Sequence, residues 1–223
     1  MDLHDLGPAP RDETDAIRIQ NELRPLVRLE DDVSDRPGVV MGVDVAYRSV
    51  PPRSVAAAVV LTAPDLSLVQ RATAEEVPKF PYVPGLFAFR ELPALVTALR
   101  RISVIPDLVL CDGHGIAHPR FFGLACHLGL LTGLPTIGVA KNPMVGNYAE
   151  PDQARGSRTP IRLEDKVVGY ALRTQAGVKP VFVSPGHKVT LETAVELVLE
   201  LAPRYRLPEP IRAADHESRT AYR

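Results

Sequence analysis

The sequence contains no tryptophan and few of the residues that cross-link small proteins. Its 223 residues include only two cysteines, Cys111 and Cys126, too few for a disulfide framework and without the C-x-x-C spacing of a zinc site. No segment approaches the roughly 18 consecutive apolar residues that a membrane-spanning helix needs. We therefore expect no membrane partner, and the scarcity of cysteine without a secretory leader favours a cytoplasmic location.

The composition is that of a globular protein. Of the residues, 45% are hydrophobic and 24% are charged, which suits one α/β domain of this length. The net charge of −1 hides an uneven distribution. Residues 1–35 carry ten acidic and four basic residues, whereas the remainder carries seventeen acidic and twenty-two basic residues. The body is therefore mildly basic, which permits a phosphate-backbone ligand without requiring one.

Apolar runs rich in β-branched residues predict strands, and apolar residues at helical spacing predict helices. The first three strands follow one another through short turns, which favours an antiparallel meander. Later helices alternate with strands, which favours parallel pairing through right-handed crossovers. We expect one mixed α/β sheet with helices on its faces, with strands over 39–47, 54–63, 66–77, 106–115 and 134–142, a hairpin over 166–186, and helices over 12–29, 89–101, 122–133 and 190–202.

Three acidic residues lie within or beside apolar segments, where a carboxylate is unusual. Asp44 lies inside an apolar strand, and Asp112 ends another, at the strand end where α/β sheets bind ligands. Glu91 lies near the start of a helix, on the side of its apolar stripe. Each also has a structural explanation: a backbone or arginine partner for Asp44, a turn or helix cap for Asp112, and the preference of a first helical turn for acids in the case of Glu91.

Carboxylates on separate elements suit a hard cation, Mg²⁺ with Mn²⁺ as its substitute. Two strand aspartates could bridge a pair of cations in the arrangement that cleaves phosphodiesters. Lys141, directly after an apolar strand, could supply positive charge to a phosphate or be an ordinary surface lysine. His118 could contact a phosphate or tune a ligand, although a lone histidine is a weak signal.

The segment 78–85, PKFPYVPG, has three prolines and one glycine in eight positions, which predicts a stiff, irregular loop. Its tip, Pro81, Tyr82, Val83 and Pro84, presents a single aromatic ring. A rigid apolar tip of this kind is suited to wedging between bases. Packing of the loop by proline and tyrosine is the alternative.

Taken together, these segments resemble the endonuclease V family of inosine-directed nucleases. The resemblance runs from about residue 14 to residue 215, so we expect an acidic arm over 1–13, a single domain over 14–215 and a polar tail over 216–223. The matching pieces are GVDVAY (42–47), FPYVPGLFAFRE (80–91), CDGHGIAHPR (111–120), TIGVAKNPMVG (136–146), RGS (155–157), SPGHKVTLETA (184–194) and LPEPIRAAD (207–215).

The resemblance implies an RNase H-like fold, with a central mixed sheet whose first three strands are antiparallel and which helices flank. It implies a metal-dependent DNA-repair endonuclease that hydrolyses the second phosphodiester bond 3′ to deoxyinosine, leaving 3′-hydroxyl and 5′-phosphate ends. The resemblance implies that the metal ligands are Asp44, Glu91, Asp112 and Asp215, and that Lys141 and His118 act beside them in catalysis. It implies that Tyr82 and its loop are a wedge that separates the strands. It also implies that the pocket for hypoxanthine is lined by the backbone around Gly85, Gly113 and Gly115.

Two other functions remain open at this point. A non-catalytic nucleic-acid-binding protein on the same fold would need phosphate contacts but no cluster of acids. A small-molecule phosphatase could use the same metals, although an aromatic wedge and an arginine-rich body favour a polymer. The residues leave DNA and inosine-containing RNA both possible as substrates, and we expect a monomer.

Overall fold

The computed structural model describes residues 1–34, 36–63 and 65–221. Among them, eight strands, numbered along the chain, form one mixed sheet in the order β3-β2-β1-β4-β5-β8-β7-β6. The strands are β1 (Val39–Ser49), β2 (Pro52–Thr62), β3 (Leu68–Glu76), β4 (Leu108–Cys111), β5 (Thr136–Ala140), β6 (Arg158–Leu163), β7 (Lys166–Leu172) and β8 (Val181–His187). The helices are α1 (Glu13–Leu23), α2 (Phe87–Arg100), α3 (Leu124–Thr132), α4 (Leu191–Glu200) and α5 (Glu209–Ala221).

The connections explain the mixed character of the sheet. β1, β2 and β3 pair antiparallel through short turns, whereas β1, β4 and β5 pair parallel, with α2 and α3 in the two crossovers. The expected late hairpin is present, since β7 and β8 pair antiparallel. The prediction of a mixed α/β sheet flanked by helices is confirmed.

The sheet separates two hydrophobic cores, as the period-2 alternation of strand side chains requires. Val40 of β1 and Leu110 of β4 face a core shared with α4 and α5. Met41 and Val43 of β1 face the opposite core, shared with α2 and α3. Side chains at even positions of β1 therefore point towards α5, and those at odd positions point towards α2.

Residues 216–221, within the expected polar tail over 216–223, are helical and form the last turns of α5. Residues 222–223 lie outside the described residues. The helix is amphipathic, because Ile211, Ala214 and Ser218 recur on one face and are fully buried. Its small number of apolar residues and the proline at 210 concealed the pattern.

Other predicted boundaries shift for local reasons. α1 ends at Leu23, six residues before its expected end, because Pro25 lies in the 3₁₀ turn that follows. β6 was not predicted, since it is an edge strand that contains Pro160 and buries only Ile161. The acidic arm contacts the body: the backbone N–H of His4 donates to the Leu131 carbonyl at 2.7 Å. Among the described helices, none is long and apolar enough to cross a membrane.

Gly42 allows α5 to cross β1 in direct backbone contact. A Cβ atom at Gly42 would lie 1.9 Å from the carbonyl oxygen of Pro210. No side chain fits at that distance, so glycine is required for this helix to reach the sheet. The crossing brings the later turns of α5 over the carboxyl end of β1.

We predict that Gly42→Ala lowers the free energy of unfolding by about 2 kcal/mol or more, the cost of overpacking a close contact. Urea denaturation measures the change. Gly38→Ala is the matched control, because a Cβ there would meet only Asp107 Oδ2 at an ordinary 3.6 Å. Equal stability of the two variants would contradict the close crossing.

Candidate active site

The parallel register of β1 and β4 places two aspartates next to each other. Val43 of β1 is opposite Cys111 of β4, and the Asp112 backbone N–H donates to the Val43 carbonyl at 3.4 Å. Asp44 and Asp112 are the next residues on their strands, and both have the parity that faces α5. Two carboxylates from separate strands therefore meet at one edge of the sheet.

The last turns of α5 bring a hydroxyl group and a second carboxylate close to Asp44. The Ser218 hydroxyl donates to Asp44 Oδ2 at 2.7 Å, and Asp215 lies one turn earlier on the same helix. Burial raises the pKa of Asp44, and the charges of Asp112 and Asp215 raise it further, while the Ser218 hydrogen bond opposes the rise. The site is thus a concentration of negative charge in a partly buried position.

Lys141 supplies the opposing charge. It directly follows β5, the third of the parallel strands, and its Nζ forms an ion pair with Asp112 Oδ2. The lysine side chain is 39% exposed and that of Asp112 is 18% exposed. Asp44, Asp112, Asp215 and Lys141 line one open cavity of about 500 Å³, so the ammonium can reach an incoming phosphate.

Glu91 reaches the same region from the opposite face of the sheet. It lies in the second turn of α2, and its Oε1 accepts a 2.6 Å hydrogen bond from the hydroxyl of Tyr47, an odd-numbered residue of β1. Burial raises the pKa of Glu91 to about 7, with the charges of Asp44 and Asp112 adding to the effect. A nearby positive charge would favour the ionised carboxylate.

The carboxylates offer the hard oxygen donors that divalent cations prefer. Within the described ranges, however, no three His, Cys, Asp or Glu side chains are close enough together to hold an ion as they stand. A protein donor engages each carboxylate: Ser218 on Asp44, Tyr47 on Glu91, Lys141 on Asp112 and Arg219 on Asp215. A cation would replace donors and relieve the mutual repulsion, so the donor chemistry fits, and the metal-ligand set stays a prediction.

A second, smaller cavity of about 80 Å³ adjoins the first, because Asp112 lines both. Its wall includes Gly85 and Gly113, two of the three glycines expected around a base, together with Glu91 and His118. Gly85 has a φ of +79°, in the left-handed region that favours glycine. The reactive carboxylates and the expected base pocket are thus neighbours.

Gly115 is not part of this cavity's wall. Its N–H donates to Ser184 Oγ at 2.8 Å, its carbonyl accepts from the Gly123 N–H at 3.0 Å, and a Cβ would lie 2.0 Å from the Pro185 carbonyl oxygen. Both backbone groups are occupied and the residue is buried. Glycine is required here for close packing against β8, and the expectation that the backbone around Gly115 lines the base pocket stays a prediction.

His118 is buried and held by hydrogen bonds within the protein. It is 3% exposed, its Nδ1 accepts from the Arg120 backbone N–H at 3.2 Å, and its Nε2 lies 2.8 Å from the Gly85 carbonyl oxygen. Burial lowers the pKa of His118 to about 4, so the ring is neutral at pH 7. Both ring nitrogens are engaged inside the protein, and one of them holds the Gly85 carbonyl. A role of His118 beside the reacting phosphate stays a prediction.

The proline loop presents its tip to solvent. Pro81, Tyr82 and Pro84 are exposed and Val83 is half-buried. The Tyr82 side chain is 70% exposed, and its ring lies 4.6 Å from that of Phe87 at the start of α2. The aromatic tip is therefore held beside the cavity that Gly85 lines.

Two residues that contact the site were not found from the sequence. Tyr47 lies in the strand run, three residues after Asp44, and only the parity of β1 shows that it faces Glu91. Ser218 lies three residues after Asp215, one helical turn away. With α5 predicted as a helix, that spacing would have indicated that Ser218 and Asp215 lie on the same face.

Comparison with known proteins shows the family and agrees with the fold. A family model described as Endonuclease V matches residues 21–216. Endonuclease V of Streptomyces avermitilis is 53% identical over 214 residues, which cover 95% of this chain and 93% of the relative. A crystal structure of endonuclease V from Bacillus subtilis has a TM-score of 0.94 at 31% identity, covering 100% of this chain and 97% of the other. Endonuclease V of Ciona intestinalis, solved in complex with a 24mer DNA containing an inosine followed by a ribo-adenosine, has a TM-score of 0.79 at 30% identity and covers 91% and 94% of the two chains.

Proposed function

The chain belongs to the endonuclease V family, and on that premise we propose that it is a metal-dependent endonuclease acting on inosine-containing nucleic acid. The bond cleaved is the second phosphodiester 3′ to the deaminated adenine, and the products carry 3′-hydroxyl and 5′-phosphate ends. Deoxyinosine in DNA is the main substrate, with inosine in RNA as the further candidate. The Ciona intestinalis relative bound to inosine-containing DNA supports this class of substrate.

The observation that carries the proposal is the shared wall of the two cavities. Asp112 lines both the open cavity with Asp44, Asp215 and Lys141 and the smaller cavity with Gly85. A nucleotide flipped into the smaller cavity would leave its 3′ phosphates beside the carboxylates. Such a pairing of a recess with a charged cleft serves an enzyme that acts on a strand at a chosen base.

Asp44, Glu91, Asp112 and Asp215 would hold a divalent cation, with Mg²⁺ as the expected ion and Mn²⁺ as its substitute. When bound, such an ion supplies positive charge to the phosphate and makes a water molecule easier to deprotonate. Ser218 and Tyr47 keep the carboxylates of Asp44 and Glu91 in fixed directions. These two hydrogen bonds would be exchanged for contacts with the cation when it binds.

Lys141 acts on the phosphate that is being cleaved. Its ion pair with Asp112 balances charge before substrate binds, and its partial exposure leaves the ammonium accessible. During cleavage negative charge grows on the phosphate oxygens, and a positive group fixed nearby is worth most at that stage. Its role is therefore in the rate of the reaction more than in binding.

Backbone groups around Gly85 and Gly113 provide the recognition of the base. Hypoxanthine presents an N1–H donor and an O6 acceptor, whereas adenine presents an acceptor and an amine at those positions. Fixed backbone donors and acceptors can tell the two bases apart after flipping. Flipping costs least at mismatched or unpaired bases, which favours lesions.

We predict that Asp44→Asn and Asp112→Asn each lower cleavage of inosine-containing strands by about a thousandfold, because several kcal/mol of charge stabilisation is lost. Binding of the same strand should persist. The measurement is single-turnover cleavage of matched DNA and RNA strands, single and double, with Mg²⁺ and with EDTA. Asp165→Asn, an exposed carboxylate outside the site, is the control.

More than a tenth of the wild-type rate in either site variant would exclude the assigned role. Binding of inosine strands without cleavage by the wild-type protein would indicate a non-catalytic binding protein. Release of phosphate from small phosphomonoesters, with no cleavage of strands, would indicate a phosphatase.

We predict that Tyr82→Ala slows cleavage of a duplex substrate by about tenfold but affects a single strand much less. If the ring fills the gap left by a flipped base, it replaces stacking worth about 1–3 kcal/mol per base, and a single strand loses little stacking. Single-turnover cleavage of one inosine sequence in both forms measures the difference. The control is Tyr205→Ala, which removes another exposed tyrosine. An equal loss of rate on both substrates would show that Tyr82 only packs its loop and is not a wedge.

A further inference from the structure

We propose that Gln20 of α1 is a positioning residue that fixes the Gly85 end of the wedge loop, the segment Phe80–Gly85. The inference rests on the proposed function, in which the Tyr82 ring at the tip of this loop would fill the gap left by a flipped base. The side chain of Gln20 is an unusual feature for a helix near the surface, because it is polar and only 1% exposed. Burying an amide is costly unless its hydrogen bonds are made.

The Gln20 amide joins three separate segments. Its Nε2 donates to the Gly85 carbonyl at 3.1 Å and to the Phe122 carbonyl at 3.2 Å. Its Oε1 accepts a hydrogen bond from Arg120 Nε. One side chain therefore ties the wedge loop to the segment that follows Asp112, on which the smaller cavity is built.

The carbonyl of Gly85 accepts hydrogen bonds from two further donors. Nη2 of Arg120 lies 2.7 Å from it. Because Nδ1 of His118 accepts from a backbone N–H, the ring proton is on Nε2, which donates to the same oxygen at 2.8 Å. Three donors on an oxygen with two lone pairs leave none for a ligand. Gly85 therefore meets a base through other atoms, and its carbonyl serves to hold the loop.

The loop is also held at its other end. Nη1 of Arg90 donates to the Phe80 carbonyl at 2.7 Å, and the Phe80 side chain is buried. Only the tip at 81–84 is left between the two ties, and it contains two prolines. A tip held in this way loses little conformational entropy when it enters a duplex, which favours substrate binding. Loosening one tie should therefore weaken binding without slowing the chemical step.

The absence of tryptophan allows a direct test. In a Tyr82→Trp protein the new indole is the sole tryptophan and reports the motion of the loop tip. We compare its time-resolved fluorescence anisotropy and acrylamide quenching with and without Gln20→Met, which keeps the side-chain length but removes the amide. Gln20→Glu is the second variant, since it retains an acceptor for Arg120 but cannot donate to Gly85.

The matched control is Gln175→Met. Gln175 also donates from its amide to two backbone carbonyls, those of Ala202 and Tyr205, at 2.8 and 3.3 Å, but it lies outside the site. Circular dichroism and thermal unfolding show that each variant is folded. Cleavage is measured with Tyr82 intact, as KM and kcat on a duplex and on a single strand containing inosine.

We expect both Gln20 variants to increase the mobility and the quenching of the introduced indole, and Gln175→Met to leave them unchanged. The KM for the duplex should rise about tenfold, the size expected for losing one buried hydrogen bond, with kcat changing less than about threefold. Unchanged mobility of the indole in folded Gln20 variants would overturn the proposal, as would a fall in kcat at constant KM. If the wild-type protein cleaves no inosine strand, the proposed function fails, but the fluorescence comparison still decides whether Gln20 holds the loop.

Discussion

The parallel pairing of β1 with β4 is the constraint on which the rest of the site depends. With Val43 opposite Cys111, the next residue on each strand is an aspartate, and both side chains face the same side of the sheet. A shift of one residue in this register would turn one carboxylate to the opposite face. The pairing that builds the centre of the sheet therefore also creates a concentrated negative charge.

The fold offsets that charge from three directions. Lys141 follows β5, the neighbouring parallel strand, and pairs with Asp112. α5 crosses β1 at Gly42 and brings Ser218 to Asp44. From the other face, Tyr47 donates to Glu91. These contacts explain how like charges remain together in the folded protein, and they identify the groups that must adjust when a cation binds.

Features of the candidate site that are local in the sequence could be predicted from it. A carboxylate at the end of an apolar strand is visible in the sequence, and so is a lysine after the next strand, because strand ends meet at one edge of a parallel sheet. The role of His118 was not visible, since its partner Gly85 is 33 residues away and only the fold brings the two together. Gly115 is similar, because the close backbone contact that only glycine allows at this position is with β8, a strand far along the chain.

α5 shows a second kind of limit. Its apolar face consists of few residues, and small or polar ones such as Ala214 and Ser218 are buried because a glycine on β1 lets the helix approach. That complementarity belongs to a pair of elements distant in sequence, so neither segment shows it alone. The buried amide of Gln20 is a further case, since its carbonyl partners at Gly85 and Phe122 come from two other segments.

We expect the register of β1 and β4 to create a site for a divalent cation. The most direct measurement is a titration of the protein with Mn²⁺ in the absence of nucleic acid, followed by electron paramagnetic resonance, for the wild type and for Asp112→Glu. Lengthening one carboxylate keeps its charge but moves it out of register with Asp44. The account predicts a saturable Mn²⁺ site in the wild type whose Kd rises about tenfold or more in the variant, a loss of roughly 1.4 kcal/mol. Equal affinity in the two proteins, or no saturable Mn²⁺ site in the wild type, would contradict it.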